Sequence, residues 1–335
     1  MAAVDRLNIS GYITRLVLFF LITCIAVIIG LSFGPVKIGF GDLLETFFSH
    51  NANQIFSQII FEIRMPRVLY AIAVGGGLSI AGAVFQAILM NPLSDPYILG
   101  ISSGGTFGAV LSFLIGASFI GTQLFSFAGA LCVMLLVFVL GKRFGELEPN
   151  VLLLTGVMVG AFFSAAILLM MTLLNDSLRT AVFWMMGNLS IAGKDNLKFV
   201  LPVTFVVSSL LMLNSNRYNL ISLGTDTAKQ LGVNTTFLKN YTYLLSSLMI
   251  GTLVSVSGII GFVGLLVPHV CRMIFGVDNR IVLPASFFLG ATYLILCDTL
   301  ARTLISPSEL PVGAVTAIIG APAFIYLLRK RFNTY

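Results

Sequence analysis

Long stretches without a single charged residue run through this sequence from one end to the other. Every position from Leu16 to Val36, from Val68 to Ser94, from Pro96 to Gly141 and from Pro149 to Asn175 is uncharged. A helix needs about 20 consecutive apolar residues to cross the hydrocarbon core of a bilayer, and these stretches reach or exceed that length. The chain is therefore predicted to fold within a membrane.

The composition agrees with this placement and excludes several classes of protein. The 335 residues are 58% hydrophobic and only 10% charged, whereas about a quarter of the residues in soluble domains are charged. A soluble enzyme, a nucleic-acid-binding protein and a disordered chain are therefore excluded. The formal net charge of +6 reflects a bias of basic residues toward cytoplasmic loops rather than a nucleic-acid partner.

The uncharged stretches divide into about ten predicted membrane spans. The predicted fold class is thus an all-α, polytopic integral membrane bundle that forms a single transmembrane domain over residues 1–335. The spans are predicted at Leu16–Phe33, Val68–Met90, Tyr97–Leu114, Gln123–Leu140, Val151–Leu174, Phe199–Leu213, Tyr241–Val256, Ile259–Phe275, Ile281–Cys297 and Val312–Leu328. The first is longer than a signal-peptide core and lacks a small-residue cleavage site, so we expect it to be retained.

An even number of spans places both termini on one side of the membrane, and the basic residues indicate which side. With the termini in the cytoplasm, twelve of the 19 Lys and Arg residues fall in cytoplasmic loops and ends, as the positive-inside rule requires. They are Arg6, Arg15, Lys142, Arg143, Arg217, Lys229, Lys239, Arg272, Arg280, Arg329, Lys330 and Arg331. We therefore predict cytoplasmic N and C termini.

The sequence carries no recognisable catalytic or nucleotide-binding motif. It has no GxxxxGK(S/T) loop, no HExxH, no GxSxG and no paired Cys and His residues, so neither ATP binding, catalysis nor a metal site is predicted for this chain. Movement of a substrate across the bilayer is the leading hypothesis.

Small residues recur at every fourth position in two of the predicted spans. They are Gly100, Gly104 and Gly108 in one span, and Gly156, Gly160 and Ser164 in another. Such stripes let helix backbones approach closely. We expect packing within the chain, with dimerisation as a second use.

Three acidic residues lie at or just inside predicted span ends, where ionisable groups are costly and often functional. Asp95, in Asn91-Pro92-Leu93-Ser94-Asp95-Pro96, is expected to cap the helix that follows. Asp298 is expected to pair with Arg302, one helical turn further along. Alternatively, Asp298 and Glu309 would relay protons in a secondary transporter.

Arginines mark the predicted outer side. Arg64 and Arg67 flank Met65-Pro66 where the second span begins, and Arg302 lies near an outer end as well. Their side chains would either extend to lipid headgroups or bind carboxylates of a partner. The residues alone favour neither interpretation.

The longest basic inner loop, residues 215–239, is expected to hold a helix of about two turns. Thr225 or Asp226 would be its N-cap, and Gly232 suits the C′ position. The residues that would share one face are Leu223, Ala228 and Leu231. We interpret this helix as a docking element for a soluble partner, with a plain capped surface helix as the alternative.

Several blocks of sequence, in order, resemble the FecCD-type permease subunits of ATP-binding-cassette importers for iron-siderophores, haem and vitamin B12. The resemblance covers nearly the whole chain. The blocks are Arg64-Met65-Pro66-Arg67, Gly82-Ala83-Val84-Phe85-Gln86, Asn91-Pro92-Leu93-Ser94-Asp95-Pro96, Leu99-Gly100-Ile101-Ser102-Ser103-Gly104, the segment Leu223 to Val233, Gly261-Phe262-Val263-Gly264-Leu265, Val267-Pro268-His269 with Arg272, Asp298-Thr299-Leu300-Ala301-Arg302, Glu309-Leu310-Pro311-Val312-Gly313 and Gly320-Ala321-Pro322.

The resemblance implies a BtuC-like fold and a particular assembly. Two copies would enclose a translocation path in the inner (plasma) membrane of a prokaryote, above two separate ATPase subunits that bind ATP and Mg²⁺. A periplasmic or lipid-anchored substrate-binding protein would deliver the cargo from outside. That cargo would be a metal chelate, although an oxyanion such as molybdate stays open as an alternative.

The resemblance also assigns roles to individual residues. Arg64, Arg67 and Arg302 would dock the binding protein, and Asn91 and Leu93, with Asn150, would form the cytoplasmic gate. The coupling helices that enter a cleft of the ATPase would comprise Ser222, Leu223, Gly224, Thr225, Asp226, Ala228, Lys229, Gln230, Leu231 and Gly232.

A cluster of soft side chains is a candidate lining for the path. Met170, Met171, Trp184 and Met185 would offer an adaptable apolar surface to a bulky chelate, or they would simply fill the core.

Overall fold

The chain folds almost entirely into helices over the residues that the structure, a computed structural model, describes: 9–48, 53–190 and 193–332, without the side chains at 9, 10, 12 and 330–332. Arg6, counted above, lies outside these ranges. The α-helices in them are α1 (Ile9–Ser32), α2 (Phe40–Phe48), α3 (Gln54–Gln58), α4 (Met65–Ile88), α5 (Ile101–Leu114), α6 (Phe119–Leu140), α7 (Pro149–Met171), α8 (Leu178–Met185), α9 (Lys194–Met212), α10 (Ser215–Ile221), α11 (Thr225–Gln230), α12 (Thr235–Ser257), α13 (Val263–Phe275), α14 (Asn279–Thr303) and α15 (Val312–Phe332).

Three short elements complete the described structure. A π-helical turn, Ile59–Arg64, joins α3 to α4, and a 3₁₀-helix, Pro96–Leu99, precedes α5. Strands β1 (Lys142–Arg143) and β2 (Glu146–Leu147) form an antiparallel hairpin between α6 and α7. Phe144 and Gly145 make its turn, both at positive φ.

Each of the ten predicted spans corresponds to a helix. Seven described stretches are long and apolar enough to cross a membrane, namely Ile13–Ser32, Gln54–Ile88, Phe119–Leu140, Pro149–Met171, Lys194–Met212, Asn279–Thr303 and Val312–Arg329. The other three predicted spans are α5 and α13, which are shorter, and α12, which is rich in Ser and Thr. Most residues of α12 are buried, so neighbouring helices rather than lipid surround it.

Helix α4 lies at the centre of the bundle, with nearly every side chain from Val68 to Ile88 buried. Helices α9, α12, α13 and α14 pack around it, and α1 packs on the far side of α14. Because α4 and α14 are antiparallel, Arg67 and Asp298 meet at one end of the bundle, called here the outer end. The other, called the inner end, carries α10 and α11.

Two predicted spans begin later than the hydropathy pattern indicates, because the backbone breaks inside the bundle. The predicted span from Tyr97 starts as the 3₁₀-helix and becomes α-helical only after Gly100, which has a φ of 77°. The predicted span from Ile259 becomes helical only at Val263, after Gly258 and Phe262, both at a φ of 68°. Hydropathy does not register such breaks, since the residues involved remain apolar.

The small-residue stripes pack within the chain, as expected. A Cβ atom added to Gly104 would lie 2.6 Å from the carbonyl oxygen of Gly129, and one added to Gly108 would lie 2.0 Å from that of Phe125. Both partners belong to α6. Helices α5 and α6 therefore approach with their backbones nearly in contact.

The central helix makes an even closer contact. A Cβ atom on Gly82 of α4 would lie 1.8 Å from the carbonyl oxygen of Gly264 in α13. We therefore expect Gly82→Ala to destabilise the protein by about 2 kcal/mol or more, because a backbone oxygen cannot move aside as a flexible side chain does. Thermal unfolding in detergent measures the effect.

Gly160→Ala is the matched control, since Gly160 is also helical but its added Cβ atom would meet nothing closer than 3.7 Å. It should leave the Tm unchanged or slightly raised, because alanine favours the helix. An equal loss of Tm in Gly82→Ala and Gly160→Ala would show that the close contact between α4 and α13 is not what excludes a side chain at position 82.

Candidate functional site

A cluster of five charged residues ties together the outer ends of α4 and α14 and the loop after α14. Arg67 Nε donates to Asp298 Oδ1 at 2.8 Å, and Arg67 Nη1 lies 2.8 Å from Glu309 Oε2. Arg302 Nε lies 3.1 Å from Asp298 Oδ2. With Arg64, these residues are called the outer charge cluster. Only Glu309 is substantially exposed, at 35% of its side chain.

Arg64 binds backbone rather than carboxylates. Its guanidinium donates hydrogen bonds to the carbonyl oxygens of Leu31 at 2.6 Å and Ser32 at 2.9 Å, and to that of Val36. The first two are carbonyls at the C-terminal end of α1, which lack partners within the helix. Arg64 therefore caps α1 and fixes it to the start of α4.

The predicted pairing of Asp298 with Arg302 is confirmed, but the sequence did not reveal that Arg67 binds both acidic residues. Asp298 thus lies between two guanidinium groups. An acid held in this way is a poor proton relay, because protonation would leave both cations partly unpaired. The three predicted docking arginines have intrachain partners here, and their docking role stays a prediction.

The predicted coupling helix is present as α11, and its ends differ in part from expectation. Gly232 has a φ of 85° and occupies the predicted C′ position. The predicted N-cap was wrong: Gly224, at a φ of 111°, occupies that position without a side-chain cap, and Thr225 is the first helical residue. A glycine reaches this backbone conformation at little cost.

The shared apolar face predicted for this segment is also not observed. Ala228 is fully buried against the bundle, whereas Leu223 and Leu231 are 65% and 57% exposed. Two large apolar side chains, just before and just after the short helix α11, are thus left exposed at the inner end. Ser222 binds within its own chain, since its hydroxyl donates to the carbonyl oxygen of Tyr218.

Polar contacts hold α11 on the β1–β2 hairpin. Lys229 Nζ lies 3.1 Å from Glu146 Oε1, and this hydrogen bond holds the pKa of Glu146 below its ordinary value. Lys239 Nζ donates to Thr225 Oγ1 at 3.4 Å. Asp226 and Gln230 lie within the same helix. The Lys229–Glu146 pair is partly exposed and individually weak, whereas Lys239 is buried. Few polar contacts therefore attach α11.

The residues of the predicted gate lie in two neighbouring turns at the inner end. Asn91 Oδ1 accepts a hydrogen bond from the Leu93 amide at 2.9 Å, and the Leu93 side chain is exposed. Asn150 stands at the start of α7. A cavity of about 690 Å³ brings Asn150 together with Met90, Phe144 and Thr225. Asn150 and the first residue of α11, Thr225, therefore border one space, whereas Asn91 and Leu93 do not line it.

Asp95 caps the 3₁₀-helix, as predicted. Its Oδ1 accepts a hydrogen bond from the Tyr97 amide at 2.9 Å. Burial raises the pKa of Asp95 to about 6.

A second cavity, of about 400 Å³, lies between α5, α7 and α8 and is open on the side of α7. Its walls include Tyr97, Ser102, Ser103, Thr106, Ser164, Ile167, Leu168, Met185 and Ile259. It is called here the hydroxyl cavity. The two breaks in the helical backbone meet beside it, where the Ile260 amide donates to the Tyr97 hydroxyl at 3.2 Å.

Only one member of the predicted soft lining borders this cavity. Met185 does so, whereas Met170 and Met171 pack against the small apolar cluster of Val110, Ile167, Leu174 and Ala181. Trp184 is 4% exposed and belongs to the main core. This burial counts against a lining role for Trp184. The sequence pattern alone could not distinguish Trp184 from Met185.

Metal ligation finds no support in the part of the chain described. Among those residues, no group of three or more His, Cys, Asp or Glu side chains is placed to hold a metal ion. The described residues instead form a short helix, α11, at the inner end, the hydroxyl cavity, and the outer charge cluster at the other end.

Comparisons with known proteins agree with this arrangement. The model of the FecCD transport family matches residues 22–330. The molybdate import permease MolB of Haemophilus influenzae is 38% identical over 279 residues, covering 82% of this chain and 81% of MolB. The hemin transport permease HmuU of Yersinia pestis is 36% identical over 325 residues, covering 95% of this chain and 96% of HmuU.

A solved structure shows the same fold. A chain in an inward-facing conformation, assigned to the metal-chelate type of ABC transporters, superposes with a TM-score of 0.85 at 34% identity and covers 95% of this chain and 99% of its own. The match of the family model over nearly the whole length is decisive. The chain belongs to the FecCD transport family and is a multi-pass permease subunit of an ABC importer.

Proposed function

We propose that two copies of this chain form the translocation path of an importer for a metal chelate in the inner membrane of a prokaryote. A substrate-binding protein delivers the chelate, and two separate ATPase subunits, which bind ATP and Mg²⁺, drive transport. The observation that carries the proposal is the exposure of Leu223 and Leu231, which flank the short helix α11 at the inner end. Soluble surfaces rarely leave such side chains uncovered in a cluster.

The attachment of this segment supports a mechanism of alternating access. ATP binding closes the ATPase pair, and residues 222–232 move with it because their own contacts to the bundle are few and weak. Thr225 and the gate residue Asn150 border the same cavity. Movement of α11 therefore reaches the gate without disturbing the packed centre around α4.

Two further observations bear on the assembly and on the rival mechanism. Helix α7 leaves Leu154, Met158 and Phe162 exposed along one face, and this face suits a second copy at the path. A proton-coupled secondary transporter is disfavoured, because Asp298 is bound by Arg67 and Arg302.

The relatives indicate only the chemical class of the cargo. The family includes permeases named for hemin and for molybdate. The structural neighbour is of the metal-chelate type, and we therefore favour a chelate over an oxyanion.

The coupling role is tested by placing charges on the exposed leucines. The double variant Leu223→Asp and Leu231→Asp should lose the ATPase by at least tenfold, because each buried leucine contributes about 1.5–3 kcal/mol to an interface. Co-purification of the ATPase from mild detergent measures the loss. Both side chains are exposed, so the bundle should keep its Tm.

Ile115→Asp is the control, since Ile115 is 58% exposed in the turn after α5, at the opposite end of the bundle from residues 222–232. It should retain the ATPase at the level of the unaltered chain. An undiminished ATPase stoichiometry in the double variant would contradict the coupling role.

We also propose that the binding protein docks at the outer charge cluster, where its carboxylates replace Glu309 on Arg67. Arg67→Gln should then weaken its binding about tenfold, and more strongly at low salt, whereas Glu309→Gln should preserve or strengthen binding because a competing carboxylate is removed. Equilibrium binding to the permease in nanodiscs measures both affinities.

Lys194→Gln provides the control for nonspecific charge effects. Lys194 is a partly exposed cation on the predicted outer side, paired with Glu62 rather than with the cluster. The Tm of Arg67→Gln is measured first, to show that the variant still folds. We expect it to fold because Asp298 keeps Arg302 as a partner. Equal affinities for Arg67→Gln and the unaltered chain, at both salt concentrations, would refute docking at this cluster.

A further inference from the structure

The hydroxyl cavity combines features that packing alone does not explain. Ser102 is 4% exposed, borders the cavity, and its Oγ atom has no hydrogen-bond partner among the described residues. A buried hydroxyl without a partner costs free energy, and such groups are uncommon in native proteins. The serine therefore indicates a ligand or water that occupies the cavity during function.

The irregular backbone around the cavity also indicates that a ligand or water occupies it during function. Non-helical backbone at membrane depth is tolerated where it is buried in protein or lines a cavity, and helix breaks are a recurring feature of transport sites. The 3₁₀-helix at Pro96–Leu99 and the irregular segment 258–262 meet at the bond between Tyr97 and Ile260. Both segments contribute to the cavity through Tyr97 and Ile259.

The polar groups of the cavity define what it can bind. Ser103 Oγ donates to the Gly100 carbonyl at 2.7 Å, and Thr106 Oγ1 donates to the Ser102 carbonyl at 2.8 Å. Both oxygens thus keep lone pairs that accept hydrogen bonds, while Ser102 has a free donor. The lining holds no Lys, Arg, Asp or Glu among the described residues.

An anion is poorly matched to these groups. A free oxyanion or a highly charged chelate needs several N–H donors or a cation to replace its hydration, whereas the donors of the cavity are neutral hydroxyl groups, those of Ser102, Tyr97 and Ser164, on mostly apolar walls. Its volume, about 400 Å³, lies in the range of small-molecule sites. On the side of α7, exposed Ser164 and Leu168 leave it open.

We propose that the hydroxyl cavity is a contact site for cargo and selects uncharged metal chelates over anionic ones. The chelate's oxygens accept from Ser102, and any amide N–H groups it carries donate to Ser103 and Thr106. This inference rests on the proposed importer function and adds a second selection, inside the membrane, to that made by the binding protein.

The single tryptophan of the chain allows a direct test. Trp184 immediately precedes Met185, which borders the cavity, so a ferric chelate bound there should quench its fluorescence. The full-length permease in nanodiscs is titrated with two hexadentate, oxygen-donor ferric complexes: an uncharged tris-hydroxamate and a triply anionic tris-catecholate. We expect saturable quenching by the hydroxamate and none by the catecholate, and excess molybdate should not displace the hydroxamate.

Two matched serine variants test the contact itself. Ser102→Ala should raise the half-saturating concentration of the hydroxamate about fivefold, the effect of one net hydrogen bond. Ser126→Ala should leave it unchanged, because Ser126 is likewise buried with an unpartnered Oγ but does not border the cavity.

Three results would overturn the proposal: no saturable quenching, equal quenching by both complexes, or equal half-saturation in Ser102→Ala and the unaltered chain. Co-purification of the ATPase is measured on the same preparations. If the ATPase binds and the hydroxamate does not, the cavity proposal fails while the importer function stands. If the hydroxamate binds and the ATPase does not, the coupling role fails instead.

Discussion

Hydrocarbon offers no hydrogen bonds, so each backbone amide and carbonyl that lies within the membrane must find its partner inside the protein. Helices meet this demand locally, and the described residues are accordingly almost all helical. Where a helix breaks, the freed groups need other partners: Asp95 accepts from the Tyr97 amide, and the Tyr97 hydroxyl accepts from the Ile260 amide. Both breaks lie within the bundle. The need for hydrogen-bond partners within the protein thus favours helices and also keeps the irregular, polar segments inside the bundle, beside the hydroxyl cavity.

Local sequence signals predicted local structure well. The ten spans, the Asp95 cap, the ion pair between Asp298 and Arg302 and the C′ glycine of α11 all depend on residues close together in the chain. Distant contacts were not predictable from such signals. Arg67 and Asp298 are 231 positions apart, and no spacing rule links them. Trp184 and Met185 adjoin in sequence but face different surroundings, which only the packing of α8 decides.

The two ends of the bundle are stabilised in opposite ways. At the outer end, buried guanidinium groups bind carboxylates and helix carbonyls, and the removal of one partner would strand a buried charge. At the inner end, α11 is attached through one buried alanine, one partly exposed ion pair and a hydrogen bond from Lys239, while the flanking leucines remain exposed. Glycine contacts along α4, α13 and α14 hold the middle of the bundle rigid between them. Under the coupling mechanism proposed above, α11 would shift while the central packing is preserved.

The π-helical turn at Ile59–Arg64 bears on how this family can diversify. A π turn is wider than an α turn and accommodates one surplus residue, whereas in a regular helix each added residue would rotate everything beyond it by about 100°. The extra length is absorbed before Arg64, so Arg64 and Arg67 keep their orientation toward α1 and α14. A single-residue insertion or deletion in the segment ahead of α4 can therefore be accommodated without disturbing the register of the ion pairs.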